Sequence, residues 1–288
     1  MRRRARLAAI SVVILAILTM GVSSQPGLAN APIAPMAPAT PMAPASSLDT
    51  AVSMSPAQFS GESRPIVLLV HGWLATSLDM LALKLRLTRD GFDCDAIDFS
   101  YMGVLDSIAD YAGELAWRVE RENAHRRHIV IVAHSMGGLV TRYYLKNLRA
   151  TDQVKTVITV ATPHHGTFGG MILPPRSIPT SEMLPDSPFL EELNSVSETA
   201  PGVGFHSIWT PTDGVVIPAE NSIMCGARNY KVSGLGVTHL GLLMSDSAYA
   251  IILDALRGRK PPTTGPQTRD HDEAKKHPLP WLRLLERS

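Results

Sequence analysis

The chain has 288 residues, of which 45% are hydrophobic and 18% are charged, enough for one domain of catalytic size. Its net charge of +1 includes a cluster of arginines at the N-terminus, so the rest of the chain is slightly acidic. This charge balance excludes the basic surface of a nucleic-acid-binding protein, and two cysteines exclude both a cysteine-based metal cluster and a dense disulfide framework.

The N-terminal residues 1–31 have the pattern of a secretory signal peptide. Arg2, Arg3, Arg4 and Arg6 precede an apolar run over residues 7–22, which predicts export to the cell envelope or the medium. An uncleaved membrane anchor stays open as an alternative, although the run is somewhat shorter than a bilayer span. Residues 32–61, rich in alanine, proline and serine, predict an extended tether.

Residues 62–258 predict an α/β domain. Five short apolar or β-branched runs indicate strands, over residues 65–70, 93–99, 128–133, 155–161 and 205–209. Apolar positions at helical spacing indicate helices between and after them, over residues 79–91, 107–124, 136–148 and 245–258. This alternation predicts a mostly parallel sheet with helices on both faces. Residues 259–288 are polar and predict a C-terminal tail, and a monomer is the default expectation.

The stretch IVIVAHSMGG, residues 129–138, predicts a serine nucleophile. A strand that turns into a helix at Ser135 exposes the hydroxyl above the sheet, and the turn needs small neighbours. Ala133, His134 and Gly137 are expected to support this elbow, with Ala133 and Gly137 two positions before and after the serine. An ordinary turn with an N-capping serine is the alternative interpretation.

A base and an acid follow in the chain order that this kind of site requires. Asp213 comes directly after a predicted strand, and His239 lies in a loop before a helical segment. His164 and His165 precede any suitable acid, so they are weaker candidates for the base. The turn after the first strand, VHGWLA, predicts that the backbone N–H groups of Trp73 and Met136 form an oxyanion hole.

The motifs VHGW, AHSMGG, TPHHGT, TDGVV and VTHLGLL, in this order, resemble the bacterial triacylglycerol lipases and esterases of the α/β-hydrolase superfamily. The AHSMG elbow is similar to that of small secreted lipases of the Bacillus lipase A kind. The resemblance covers about residues 64–257 and implies the α/β-hydrolase fold and carboxylic ester substrates. It also implies the roles assigned above to Ser135, Asp213, His239, Trp73 and Met136. Residues 168–204 depart from the smallest members and resemble the short cap of larger bacterial lipases, so we expect them to cover or border the acyl pocket.

We therefore expect a serine hydrolase that cleaves carboxylic esters through an acyl-enzyme, a lipase acting on acylglycerols at a lipid interface, without metal or organic cofactor. A short-chain carboxylesterase, an acyltransferase and a non-catalytic tethered binding domain stay open as alternatives.

The adjacent His164 and His165 point to opposite sides of an extended stretch and are expected to brace the loop beside the elbow rather than bind a metal. Two further questions stay open: whether Cys94 and Cys225 form a disulfide, and whether the apolar residues of the 168–204 segment contact an acyl chain or form a small core of their own. These apolar residues are Met171, Ile172, Leu173, Met183, Leu184, Phe189 and Leu190.

Overall fold

A computed structural model describes residues 65–99, 106–123, 128–148, 152–169 and 177–259. The predicted signal peptide, the tether and all but the first residue of the predicted tail lie outside the described residues. Within the described ranges, no helix has both the length and the apolar character needed to cross a membrane.

A six-stranded sheet forms the centre of the fold, with the strand order β2-β1-β3-β4-β5-β6. Every strand pairing in the described residues is parallel, which confirms the predicted fold class. In a parallel sheet all strands end at the same edge, and Val70 at the end of β1 lies beside Ala133 near the end of β3. The strands are Ile66–Val70 (β1), Asp93–Ile97 (β2), Ile129–His134 (β3), Val154–Val160 (β4), Gly204–Trp209 (β5) and Arg228–Lys231 (β6).

Helices connect the strands at the predicted places. Gly91 and Gly258 follow the helices that they were expected to terminate, and both have positive φ, +90° and +64°, which suits glycine. A short 3-10 turn, Ser77–Met80, precedes the first α-helix. The α-helices are Leu81–Arg89 (α1), Ile108–Asn123 (α2), Met136–Asn147 (α3), Ile178–Glu182 (α4), Pro188–Asn194 (α5), Gly241–Met244 (α6) and Asp246–Leu256 (α7).

The sheet buries apolar side chains on both faces. Alternate residues of β1 point in opposite directions, so Leu68 joins a core with α2 and α3, whereas Leu69 joins a second core with α1 and α7. Each fully buried side chain of this kind contributes about 1.5–3 kcal/mol to the free energy of folding. The two cores confirm that helices cover both faces, and they fix the strand ends that carry the candidate site.

Within the cap-like insertion, residues 168–169 and 177–204 are described, and the segment 177–203 packs on the first of these cores. Met183, Leu190 and Leu193 are buried in the same cluster as α2 and α3, so these residues do not form a separate small core. Phe189 stacks on Tyr143 of α3, with ring centroids 5.8 Å apart. Met171, Ile172 and Leu173, for which acyl-chain contact was one of the two alternatives, lie outside the described residues.

The two cysteines are not joined by a disulfide. Cys94 is half-buried in β2 at one end of the strand order, whereas Cys225 is buried in the segment that precedes β6. The open question from the sequence is therefore settled in favour of two separate thiols.

Candidate active site

Ser135 lies at the turn between β3 and α3 with φ of 54° and ψ of −129°. Positive φ is uncommon for a residue with a side chain, and two hydrogen bonds hold it here. The Ser135 N–H donates to the Val160 carbonyl at 2.9 Å, and the Gly138 N–H donates to the Ser135 carbonyl at 3.0 Å. The Ser135 side chain makes no capping hydrogen bond to the described residues of α3, so it does not act as an ordinary N-cap.

The elbow fits only small residues. A Cβ on Gly137 would lie 2.5 Å from the His71 carbonyl oxygen, and a Cβ on Gly138 would lie 2.1 Å from Thr162 Oγ1. A Cβ on Gly72 would lie 2.8 Å from the Cβ of Ser135. The loop after β1 therefore approaches the serine directly, because Gly72 has no side chain.

Asp213 and His239 form a buried pair. His239 Nδ1 donates to the Asp213 carboxylate, 2.9 Å from Oδ2 and 3.1 Å from Oδ1. The N–H groups of Val215 and Val216 also donate to Oδ1, each at 2.8 Å. Burial alone would raise the pKa of Asp213, but the nearby His239 and the two backbone donors lower it overall, so the carboxylate stays charged. A carboxylate in this position fixes the imidazole with Nε2 as the free base.

His134 connects His239 to the elbow. The two imidazole rings are 4.7 Å apart, and His134 Nε2 donates to the His239 carbonyl at 3.2 Å. Burial, followed by the nearby His239, lowers the pKa of His134 to about 3, so the ring is neutral at physiological pH. The residue directly before the serine thus holds the backbone of His239 beside the turn, a contact that the sequence analysis did not identify.

The two N–H groups predicted as oxyanion donors have no competing acceptor among the described residues. Neither the Trp73 nor the Met136 backbone N–H donates a hydrogen bond within this part of the chain. Met136 is the first residue of α3, where backbone N–H groups point outward and favour negative charge. Both groups are therefore available to an oxygen anion.

Asp98 holds the loop that carries Trp73. Its Oδ1 accepts from the Ser77 N–H at 2.6 Å and its Oδ2 accepts from the Ser77 hydroxyl at 2.7 Å. A capping box between Thr76 and Asp79 adds a second constraint. The sequence predicts Asp98 inside the second strand, and this prediction is wrong, because β2 ends at Ile97. The contact of Asp98 with the loop after β1 could have been inferred, because β1 and β2 are neighbours in a parallel sheet and the loops that follow them lie at the same edge.

His164 and His165 have different partners, as expected for adjacent residues. His164 is fully buried, with Nε2 3.1 Å from Thr159 Oγ1. His165 instead points toward Glu198, with Nε2 3.4 Å from Oε1. Neither ring is among the recorded contacts of Asp213.

Known proteins resemble this chain in sequence and in fold. The family described as PGAP1-like alpha/beta domain matches residues 99–224, somewhat less than half of the chain. The fold is similar to the mature form of Bacillus licheniformis lipase BlEst2, with a TM-score of 0.57, 17% identity, and coverage of 67% of this chain and 92% of that one. It is also similar to Aspergillus fumigatus lipase B, with a TM-score of 0.60, 20% identity, and coverage of 75% of this chain and 57% of that one.

These likenesses, together with the all-parallel sheet, show that the chain has the α/β-hydrolase fold. The detailed similarity of the elbow to Bacillus lipase A stays a prediction. At these identities the comparison extends to the fold, and the chemistry has to be argued from the site itself.

Proposed function

We propose that this chain, with the α/β-hydrolase fold it shares with a bacterial and a fungal lipase, is a serine hydrolase that cleaves carboxylic esters. The observation that carries this proposal is the buried Asp213–His239 pair, which His134 ties to the strained turn at Ser135. Ser135 is the nucleophile, His239 the base and Asp213 the acid that orients it. Trp73 and Met136 supply the oxyanion hole.

The reaction runs in two halves. As Ser135 Oγ bonds to the ester carbonyl carbon, its proton passes to His239 Nε2 and the carbonyl oxygen becomes an oxyanion. The oxyanion is held by the N–H groups of Trp73 and Met136, each worth roughly 3 kcal/mol in the transition state. Collapse breaks the bond to the alcohol, which leaves with the proton from His239. Water then attacks the acyl-enzyme with the same imidazole as base, and the free acid departs.

An apolar surface beside the oxyanion loop supports a lipase acting on acylglycerols. Leu78, Leu81 and Leu85 are exposed by 73%, 43% and 62%, and they follow one another at helical spacing from the 3-10 turn into α1. Such a row of exposed leucines lowers solubility in water, whereas burying it against lipid lowers the free energy. The N-terminal arginines and apolar run support export, which would bring the enzyme to lipid outside the cytoplasm.

The proposal is tested by comparing the full chain with Ser135→Ala on p-nitrophenyl esters of increasing acyl length. We expect Ser135→Ala to lower kcat by roughly 10⁴-fold or more, because the nucleophile is lost. The matched control is Ser181→Ala, which removes an exposed hydroxyl in α4 and should leave the rate unchanged. Equal rates for the wild type and Ser135→Ala would contradict the proposal.

Emulsions test the lipase part separately. If the protein is a lipase, its rate of hydrolysis increases once the concentration of a long-chain triglyceride exceeds the solubility limit of that substrate. The double variant Leu78→Ser/Leu85→Ser should lose this increase and still hydrolyse a soluble short ester. Activity that is confined to soluble esters would instead identify a short-chain carboxylesterase. A competing alcohol in the assay distinguishes an acyltransferase, because the product is then a new ester.

A further inference from the structure

Three potential metal ligands meet outside the proposed active site. His165 follows β4, Glu198 lies in the segment before β5, and Cys225 lies in the segment before β6. One ligand atom from each, a ring nitrogen, a carboxylate oxygen and a sulfur, lie within 4.8 Å of one another. The residues are far apart in the chain, so no spacing motif in the sequence could identify this cluster.

The cluster is already ordered by other contacts. The Cys225 N–H donates to Glu198 Oε2 at 2.7 Å, which leaves Oε1 facing His165. His165 Nε2 is buried and makes no hydrogen bond within the described residues, although it lies 3.4 Å from Oε1. The His165 backbone is fixed in turn, because Asn221 Nδ2 donates to its carbonyl at 3.1 Å. A buried ring nitrogen that makes no hydrogen bond within the described residues can bind a metal ion without breaking one.

A buried cation lies beside the cluster. Arg142 is fully buried, and its charge interacts with Glu198 and Cys225. The same guanidinium repels a bound cation, so both anionic ligands are needed to offset it.

We propose that His165, Glu198 and Cys225 bind one divalent transition-metal ion, Zn²⁺ in preference, with water as the fourth ligand. One nitrogen, one oxygen and one sulfur donor are a set that suits zinc, which is four-coordinate and tetrahedral in structural sites. Metal–ligand distances of about 2.0–2.3 Å require these atoms to approach by roughly 1 Å, which small side-chain rotations supply. On binding, the Cys225 thiol releases its proton to solvent and the sulfur bonds to the metal, while neutral His165 binds through Nε2.

The ion would act as a structural clip. It would join the loop after β4 to the segments that lead into β5 and β6. The proposal is independent of ester hydrolysis, because it is read out by metal binding and thermal stability.

The first test is a titration of the full chain with Co²⁺, which reports a thiolate ligand by a charge-transfer absorption in the near ultraviolet. We expect this absorption to saturate at one equivalent and to disappear when Zn²⁺ is added in competition. Cys225→Ser removes the absorption, whereas the matched control Cys94→Ser retains it, because Cys94 lies outside the cluster. No thiolate absorption in the wild type, or one that survives in Cys225→Ser, would overturn the proposal.

Thermal unfolding supplies the second test and covers the case in which a cysteine variant is unstable. Saturating Zn²⁺ raises the Tm of the wild type by about 5–10 °C, and His165→Gln loses this increase without losing the fold. If the cluster serves only to neutralise Arg142, Zn²⁺ leaves the Tm of both proteins unchanged, and the proposal is wrong. An inactive chain that still binds one zinc ion would leave this inference standing and remove the proposed function alone.

Discussion

Ser135 adopts a backbone conformation that costs free energy for a residue with a side chain, about 1–3 kcal/mol. The cost is offset by contacts that over-determine the turn, including the hydrogen bond from its N–H to Val160 and the close approach of Gly72. Strain of this kind persists where the surrounding structure holds it, and it is concentrated at functional sites. The turn holds Ser135 half-exposed between a buried strand and a buried helix, which is the accessibility that a nucleophile needs.

Asp213 is a second residue whose contacts indicate a specific role. Its carboxylate receives two backbone N–H groups as well as the His239 ring, so it is fixed before the imidazole is oriented. An amide oxygen at this position would still accept hydrogen bonds from the two backbone donors. It would not supply the negative charge, and it would not fix the tautomer of His239.

We therefore expect Asp213→Asn to lower kcat on the order of 10⁴-fold while leaving the protein folded. The Asn side chain would orient His239 in the wrong tautomer and would not stabilise the imidazolium. The measurement is kcat on a soluble ester, with circular dichroism to confirm the fold. The control is Asp186→Asn, an exposed carboxylate with φ of 59°, a conformation that Asn accepts. A loss of activity in Asp186→Asn with none in Asp213→Asn would reverse the assignment of the acid.

At the scale of elements, the site depends on how closely the end of β1 approaches the start of α3. Gly137 lies on the first turn of α3 and faces the carbonyl oxygens of Val70 and His71. His71 is followed by Gly72 and then by Trp73, whose N–H is a proposed oxyanion donor. Any displacement of the His71 backbone would therefore reach the oxyanion hole.

Gly137→Ala tests this contact. Its Cβ would lie 2.5 Å from the His71 carbonyl oxygen, so we expect the free energy of unfolding to fall by about 1–3 kcal/mol and kcat to fall with it. Gly113→Ala is the matched control: Gly113 is exposed in the interior of α2 with no atom within 4 Å of the added Cβ. Because alanine is the better helix former, this variant should gain up to about 1 kcal/mol at unchanged kcat. Urea unfolding measures the stability of both variants, and an assay on a soluble ester measures their kcat. Equal stability of the two variants would contradict the packing argument.

The sequence was sufficient to predict the elements that have strong apolar patterns. Five strands were predicted. Three of them, β1, β3 and β4, are rich in β-branched residues, as a buried parallel strand requires, whereas β2 and β5 were recognised as short runs bounded by turns. Strand β6, with the sequence Arg-Asn-Tyr-Lys, was missed. It is four residues long and lies at the edge of the sheet, and Asn229 is buried because its side chain bonds to the backbone of Met224 rather than because it is apolar.

The candidate site was predictable for a related reason. All strands of a parallel sheet end at one edge. Residues that follow strand ends, such as Ser135 and Asp213, can therefore be predicted to lie at that edge from the order of the strands and motifs along the chain. The pairing of Ser77 with Asp98 and the cluster around Glu198 could not be predicted in this way. They depend on loop paths and side-chain rotamers, which the local pattern of residues does not encode.

At the scale of the whole molecule, a buried charge anchors the cap-like insertion to α3, the helix that follows the proposed nucleophile. Arg142 of α3 donates to the Glu198 carbonyl at 2.9 Å and to Asn194 Oδ1 at 2.6 Å. Lys146, one turn later, donates to the Ser197 carbonyl at 2.7 Å. Burial lowers the pKa of Arg142 to about 10, so it is still charged at neutral pH and depends on the Glu198 carboxylate for compensation.

This dependence predicts how stability changes with pH. The pKa of Glu198 in the folded protein is about 2, below its ordinary value of 4.5, so the carboxylate contributes stability fully above pH 4.5 and loses that contribution as the pH falls toward 2. Glu198→Gln leaves Arg142 buried without its counter-charge, and we expect its free energy of unfolding at pH 7 to be lower by about 3 kcal/mol.

Urea unfolding at a series of pH values measures this difference for metal-free protein. We expect the gap in the free energy of unfolding between wild type and Glu198→Gln to be constant above pH 4.5 and to narrow between pH 4.5 and 2, because protonated Glu198 loses its charge interactions with His165 and Arg142. Glu220→Gln, which neutralises an exposed carboxylate, should follow the wild type throughout. A gap that stays the same down to pH 2 would mean that Glu198 contributes through its size and hydrogen bonds alone, and Arg142 would then need another explanation for its burial.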